Sequence, residues 1–494
     1  MKPRDRTWVY RLVSNKEKVA KYSFLPFIHR ELRVRRFRRT KLPDGRQSKK
    51  RELDPKKRDI HYAGHIESNI YSYYSRLLLS CYNNLIEGFS LNEAVTAYRK
   101  LELKTSGKVS RNKCNIDFAN EVFTFVAKNE SPELAVITFD IKSFFDNLDH
   151  AYLKKMWKLV ISSPSGLPAD HYNVYRNVTK FSYINETDIF KAFKNNILVE
   201  NSSGVIKNKS IPKFKYLKEK NAVAFCNKKD IHLIRRKKLI KSNKYLVDEN
   251  KTFIYDSPGK KKLRNKGIPQ GSPISAVLAN IYMIYFDKKL NDYLTSINGI
   301  YRRYSDDMII ACEYKYLDII QSLVKNEIDN LKLSIQDSKT KIFKFTYSKS
   351  QKRFICQEYI PDTESFISTS KFEYLGFQFD GKYVLLKNAS LSRYYRRMKR
   401  AISASKYYSL HNKTQSRGEI FKTRLYKRFT INGSKRRRTY KRHPVLTNKF
   451  IISDHYDWGN YLSYALLASK TFPNNKIRNQ IKRHWRKFHE YLEK

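Results

Sequence analysis

The chain has 494 residues, more than a single hydrophobic core organises, so about two or three domains are expected. It carries 100 Lys and Arg against 46 Asp and Glu, a formal charge of +54, which points to a polyanionic partner, nucleic acid first. Five scattered cysteines (Cys81, Cys114, Cys226, Cys312, Cys356) with no CxxC pair exclude a disulfide scaffold and the usual zinc modules.

An anionic membrane would also answer the charge. Against it, 36 Tyr and 29 Phe are interleaved with the Lys and Arg, as stacking surfaces for bases would be. Gene base composition can also inflate Lys, Asn, Ile and Tyr. No run reaches membrane-spanning length, and Met1-Lys2-Pro3-Arg4-Asp5-Arg6 leads into no apolar segment. A soluble protein of the reducing cytoplasm, with no membrane partner, is expected.

Residues 30–40 alternate charged and apolar side chains, Leu42-Pro43-Asp44-Gly45 supplies a turn, and residues 46–51 would return as a second strand. Such a ribbon either lies over phosphates or is a solvated hairpin. Ile66, Ile70, Tyr73, Tyr74, Leu77 and Leu78 predict a helix over about 61–85. Further helices are predicted over about 91–101 and 116–128, the latter with Phe118, Val122, Phe123 and Val126 on one side. Leu134-Ala-Val-Ile-Thr-Phe139 predicts a buried strand ending in Asp140. A carboxylate closing a central strand marks a site, because burying it unpaired is costly. A helix is expected to follow by His150. Residues 160–262 are the least legible; Lys-rich 207–244 reads as an insertion on nucleic acid or a flexible surface loop.

Lys266-Gly-Ile-Pro-Gln-Gly-Ser-Pro-Ile-Ser275 combines a glycine-rich turn with Ser272 as expected N-cap and Pro273 as first helical residue. The helix would bury Ile274, Val277, Leu278, Ile281, Tyr282 and Tyr285. The loop can bring a phosphate or a nucleotide sugar close to backbone, but it is neither GxGxxG nor a Walker loop. Two apolar runs, 300–304 and 308–312, flank Ser305-Asp306-Asp307 and predict a hairpin with two carboxylates at its tip. Adjacent anions repel unless solvent or a divalent cation neutralises them. An amphipathic helix over 317–331, a strand over 339–345 and a hairpin around Gly376 follow. From about 385 the chain is basic and helical in pattern, with a loop-like run at 435–442 and a last helix over 475–492.

Three carboxylates from two strands could hold two divalent ions, which suits phosphoryl transfer. Here the chain resembles the reverse transcriptases. Phe139-Asp140-Ile-Lys-Ser-Phe-Phe-Asp-Asn-Leu-Asp-His150 is similar to their first palm motif, Gly267-Ile-Pro-Gln-Gly-Ser-Pro-Ile-Ser275 to the second, and Tyr304-Ser-Asp-Asp307 to the third, with Ser305 where alanine or methionine is commoner. Ser338-Lys-Thr-Lys341 resembles the fourth motif and Tyr374-Leu-Gly376 the primer-grip hairpin. The resemblance covers about residues 30–380.

It implies an α/β right-hand polymerase: a basic N-terminal and fingers region (1–130), a palm (131–383) with a long basic insertion at about 160–262, and a basic helical thumb-like domain (384–494). It further implies that Asp140 and Asp306 bind two Mg²⁺ (or Mn²⁺) ions with Asp307 in support, joined by the Ile141 carbonyl. Phe145 matches the steric gate that excludes a 2′-hydroxyl, and Gln270 the residue beside the incoming nucleotide. Arg51, or else Lys50 or Arg58, matches the fingers contact to the triphosphate. Lys339, with Lys341 as alternative, matches the proton donor to pyrophosphate. The implied activity is RNA-directed DNA synthesis from dNTPs. Residues 56–74, Tyr98-Arg99 and Asn115-Ile-Asp-Phe-Ala119 are similar to bacterial anti-phage (unknown-group and abortive-infection) members, which implies a structured non-coding RNA template, a DNA product, and a homo-oligomer by analogy. Template-independent or protein-primed synthesis is the first alternative, and a non-catalytic RNA-binding scaffold the second.

Overall fold

The strand Glu133–Asp140 runs through the centre of the molecule, and its neighbours carry the site. The computed structural model describes residues 6–493 apart from 36, 42–46, 106–107, 202–203, 248–251, 257–258, 369–370, 412–417, 436–437, 443–448 and 457–458. A six-stranded, wholly antiparallel sheet is ordered Ile300–Tyr304, Asp307–Glu313, Glu133–Asp140, Lys341–Ser348, Arg353–Ile360, Ser365–Ile367. Successive side chains of a strand leave opposite faces. Ala135, Ile137 and Phe139 enter one hydrophobic core, while Leu134 and Val136 enter another. Met308, Ile310 and Cys312 join the first core, and Ile309 and Ala311 the second. Burial on both faces explains why these strands read as unbroken apolar runs.

Helices His65–Gly88, Ser275–Tyr282, Ile284–Ser296 and Leu317–Asn330 close the first core. The second is closed by Asn115–Lys128, by a small sheet of Phe372–Tyr374, Phe377–Phe379 and Val384–Leu386, and by helices beyond residue 388. The hairpin turn at Leu375 and Gly376 has positive φ at both residues (43° and 93°), the pairing that matches strand twist.

Several expectations are corrected. No helix forms over 91–101. The Arg303 amide donates to the Ala94 carbonyl (2.7 Å) and the Thr96 amide to the Arg303 carbonyl (3.0 Å), so the segment is spent on the edge of the main sheet. The Arg99 guanidinium gathers it further, donating to Asn83, Asn92 and the Val95 carbonyl. A short helix is marginal by itself and yields to such pairing. Ser272 is not an N-cap. The helix begins at Ser275, and the buried Ser272 hydroxyl finds no partner among the described residues. A break at Met283 starts a second helix, which leaves Tyr285 44% exposed rather than buried. The first predicted helix begins at His65, because His61 still belongs to strand Lys56–Tyr62.

The expected basic ribbon is divided. Phe27–Val34 pairs with Lys56–Tyr62, and Phe37–Lys41 pairs with Gln47–Leu53; the predicted turn at 42–45 lies outside the described residues. Part of the illegible stretch folds onto this region: Ser182–Asn185 pairs parallel with Phe27–Val34, and Lys241–Ser242 adds beyond it. Between them, small cores around Ile189 and Phe193, and around Phe190, Ile197 and Ile211, order segments that composition alone presents as loop. In the run 435–442, residues Arg438–Arg442 form a strand paired with Phe450–Tyr456; residues 436–437 lie outside the described set. The last predicted helix is two, Ile477–Ile481 and His484–Glu493. Among the described residues, no helix is long and apolar enough to cross a membrane.

Candidate active site

The register of the central strands brings the carboxylates together. Asp307 opens its strand directly opposite Asp140, which closes the neighbouring one. Directly paired residues share a face, here the face that further along is covered by Asn115–Lys128. Asp306 sits in the turn, which Ser305 enters at a φ of 64°. The Asp306 carbonyl accepts the Ile141 amide (3.4 Å), tying the turn to the end of the central strand. The Asp140 carbonyl accepts the Gln336 amide (2.8 Å), which fixes the approach of the segment bearing Lys339.

The negative charge is concentrated. Desolvation, then Asp306, then Asp140 push the Asp307 carboxyl up to about 6, against the opposing pull of Lys339 and Lys387. The Lys339 ammonium lies 2.5 Å from Asp140 Oδ1. Lys339 stands in a 3₁₀ turn, Asp337–Lys339, before its expected strand, which begins at Lys341; Lys341 pairs instead with Glu358 (2.6 Å). Among the described residues, no group of three or more His, Cys, Asp or Glu side chains is arranged to ligate a metal. The donor chemistry nevertheless fits a hard divalent cation: all-oxygen carboxylates from adjoining backbone positions, mutually repelling, with a lysine cation already drawn onto one of them.

Phe145 and Gln270 are brought to each other's neighbourhood by backbone. The Ile268 amide donates to the Phe145 carbonyl and the Gly267 amide to the Leu148 carbonyl, each at 2.8 Å. His150 Nε2 lies 2.8 Å from the Gly267 carbonyl oxygen. Gly267 has a φ of 91°, and a Cβ there would lie 2.7 Å from the Asp146 carbonyl oxygen, so the loop requires glycine. The Gln270 carbonyl accepts the His61 amide (2.8 Å), which joins the loop to the end of strand Lys56–Tyr62. Arg51 stands exposed on Gln47–Leu53, opposite Arg39. Arg58 is exposed on the strand that reaches Gln270, opposite Leu32.

Four residues around the carboxylates escaped sequence reasoning. Arg303 is wholly buried. Its Nη2 meets Asp287 Oδ2 at 2.5 Å and its Nε meets Oδ1 at 2.7 Å. Its Nη1 donates to Asn280 Oδ1 and to the Ser305 carbonyl, both at 3.1 Å. Asp287 also accepts the Tyr301 hydroxyl (2.7 Å). The turn bearing Asp306 is thus held from beneath by a fork of fixed geometry. Tyr98, at a φ of 63°, donates its hydroxyl to Ser305 Oγ (3.1 Å). An arginine inside a strand predicted to be buried was the available sign of a buried partner; nothing local pointed to Asp287 or Asn280, and the resemblance that singled out Tyr98 gave it no place at the site.

Residues 175–379 match the reverse transcriptase (RNA-dependent DNA polymerase) family. The matched segment holds Gln270, Asp306, Asp307 and Lys339, while Arg51, Asp140, Ile141 and Phe145 precede it. No curated protein matches the chain. Among solved structures, apo telomerase from Candida tropicalis, truncated from its C-terminal domain, aligns at 14% identity and a TM-score of 0.35, over 64% of this chain and 54% of that one. Telomerase from Candida albicans in complex with a TWJ fragment of telomeric RNA aligns at 12% identity and a TM-score of 0.36, over 83% and 56%. The chain spans little more than half the length of these structures. With a segment that matches the reverse transcriptase family on a two-faced antiparallel sheet flanked by helices, the architecture is an α/β fingers-palm polymerase fold.

Proposed function

We propose that this chain, with its reverse-transcriptase segment, is an RNA-directed DNA polymerase that joins dNTPs by phosphoryl transfer at Asp140, Asp306 and Asp307. The observation that carries the reading is the register that sets Asp307 against Asp140 with Asp306 in the adjoining turn. Two divalent ions bound there would activate a 3′-hydroxyl and neutralise the triphosphate. The three carboxylates would hold those ions, with the Ile141 carbonyl as the further ligand that the resemblance implies. Lys339, released from Asp140, is the proton donor to pyrophosphate. Gln270 lines the nucleotide site, Phe145 stands under the sugar, and Arg51 reaches the triphosphate. A structured non-coding RNA template is supported by the +54 charge, and a role in phage defence by the residue resemblances at 56–74, 98–99 and 115–119. The test is extension of a primer on an RNA template by the purified protein with dNTPs and Mg²⁺. Incorporation that ignores the template would overturn templated copying.

The sugar gate gives a sharper result. Phe145→Val is expected to raise the use of NTPs relative to dNTPs about tenfold or more, since a 2′-hydroxyl then meets a cavity instead of a ring. A wild type that already prefers NTPs would rule out the deoxynucleotide reading.

One observation favours a second reading, protein-primed synthesis. The Tyr98 hydroxyl reaches Ser305, next to Asp306, on a side chain 46% exposed. If Tyr98 is the primer, labelled dNTPs become covalently attached to the wild type and not to Tyr98→Phe, while extension of a supplied primer is retained. Equal labelling of both proteins would dismiss Tyr98.

A further inference from the structure

A second cationic site lies in the helical C-terminal region. A cavity of about 490 Å³ opens between helices Asn388–His411 and Lys422–Phe429 and the start of Tyr461–Thr471. Arg393 and Arg397, one turn apart on the first helix, face Arg424, Lys427 and Arg428 on the second. The latter three fall at i, i+3 and i+4, so each helix turns a single row of cations into the same space. All five are exposed, and no acidic side chain among the described residues lines the cavity; Lys427 already has an interaction partner, so the repulsion is that of the four arginines. Such rows repel one another, and a dense anion between them relieves the repulsion. The N-terminus of Tyr461–Thr471, capped by Asn460, meets the same cavity and adds the positive end of its dipole.

The walls are held rigidly. Tyr394 stacks on Tyr461 with ring centroids 4.7 Å apart, and its hydroxyl donates to the Phe429 carbonyl (2.6 Å), fixing the three helices against each other. Arginine forks match phosphate oxygens in pairs, and the volume is that of a small-ligand pocket. A nucleic acid backbone spaces its charges one per nucleotide. A polyphosphate concentrates several within reach of Arg393, Arg397, Arg424 and Arg428.

We propose that this cavity binds the polyphosphate group of a nucleotide, either a free nucleoside triphosphate or the 5′-triphosphate end of an RNA, apart from the carboxylate site. The test uses the full chain and measures binding of one RNA oligonucleotide with a 5′-triphosphate or a 5′-hydroxyl, and of ATP, by the wild type and by Arg393→Gln/Arg397→Gln/Arg424→Gln. The triphosphate end is expected to bind about tenfold or more tighter than the hydroxyl end, the scale of one or two charge-assisted hydrogen bonds, and the variant to lose that difference while keeping 5′-hydroxyl binding. ATP binding that is lost in the variant, without an advantage for the RNA end, assigns the site to free nucleotide. Equal binding of the two RNAs with no ATP binding overturns the proposal. So does a variant that weakens both RNAs equally, which would mark a backbone surface. Should the triple variant melt early, Arg397→Gln alone reads the same difference.

Discussion

Replacing Asp306 and Asp307 together by Ala is expected to lower nucleotide incorporation about a thousandfold or more, because metal-held charge at a transferring phosphoryl group is worth several kcal/mol. The fold should not suffer. Asp307 keeps accessible surface although its carboxyl is desolvated, and the two carboxylates repel each other and Asp140. The sign of the stability effect follows from the titration. The native Asp307 carboxyl titrates near 6, above its ordinary value of 3.8. The folded state therefore disfavours its ionised form, a penalty absent in acid and complete above about pH 6. At pH 7 and above the double variant should melt at or slightly above the wild type. Incorporation in Mg²⁺ and in Mn²⁺, read beside thermal unfolding and RNA binding, checks this. Full incorporation by the double variant would sink the assignment of the site.

Arg303→Met is expected to destabilise the chain by about 3–5 kcal/mol, because it leaves the Asp287 carboxylate buried without its cation. Both side chains are completely inaccessible, and three groups, Arg303 Nε, Arg303 Nη2 and the Tyr301 hydroxyl, converge on Asp287. Asp287→Leu should cost a similar amount by stranding the guanidinium. The double variant Arg303→Met/Asp287→Leu should recover most of the loss, as apolar replacement of a buried pair is often near neutral. Activity should not recover with it. Arg303 also donates to the Ser305 carbonyl, and without that bond the turn holding Asp306 loses its support from below. Thermal unfolding of the three variants, with incorporation measured on the double, separates the two effects. Single variants as stable as the wild type would show that the pair does not hold the hairpin.

The main sheet and its motifs were legible because their signals are local. Leu134 to Phe139 is a short apolar run, and a buried strand needs nothing else to be recognised. Ser305-Asp306-Asp307 between two such runs is a turn, and Leu375-Gly376 another, since few residues tolerate the required φ. The contact that holds Asp306 was not legible. Arg303 and Asp287 are 16 residues apart, on a strand and a helix, and only packing determines that both face inward. Residues 91–101 misled for the converse reason: an apolar rhythm compatible with a helix is equally compatible with a segment whose amides bond to Arg303.

Residues 160–262 show the limit from the other side. Their Lys content resembles that of a solvated loop, yet Ser182–Asn185 completes a sheet with Phe27–Val34 across some 150 residues of sequence. Parallel pairing at that separation leaves no local pattern, because the partner strand supplies half of the hydrogen bonds and the apolar cover. By itself the sequence determined the strands, the Ser305-Asp306-Asp307 turn and the glycine-rich loop on which the candidate site is built, since backbone conformation and short-range patterning encode them. Tertiary structure alone decided that Asp307 faces Asp140, that Lys339 rather than Lys341 reaches it, and that Arg393 and Arg397 meet Arg424 across a cavity, because each depends on the register or packing of elements far apart in the chain.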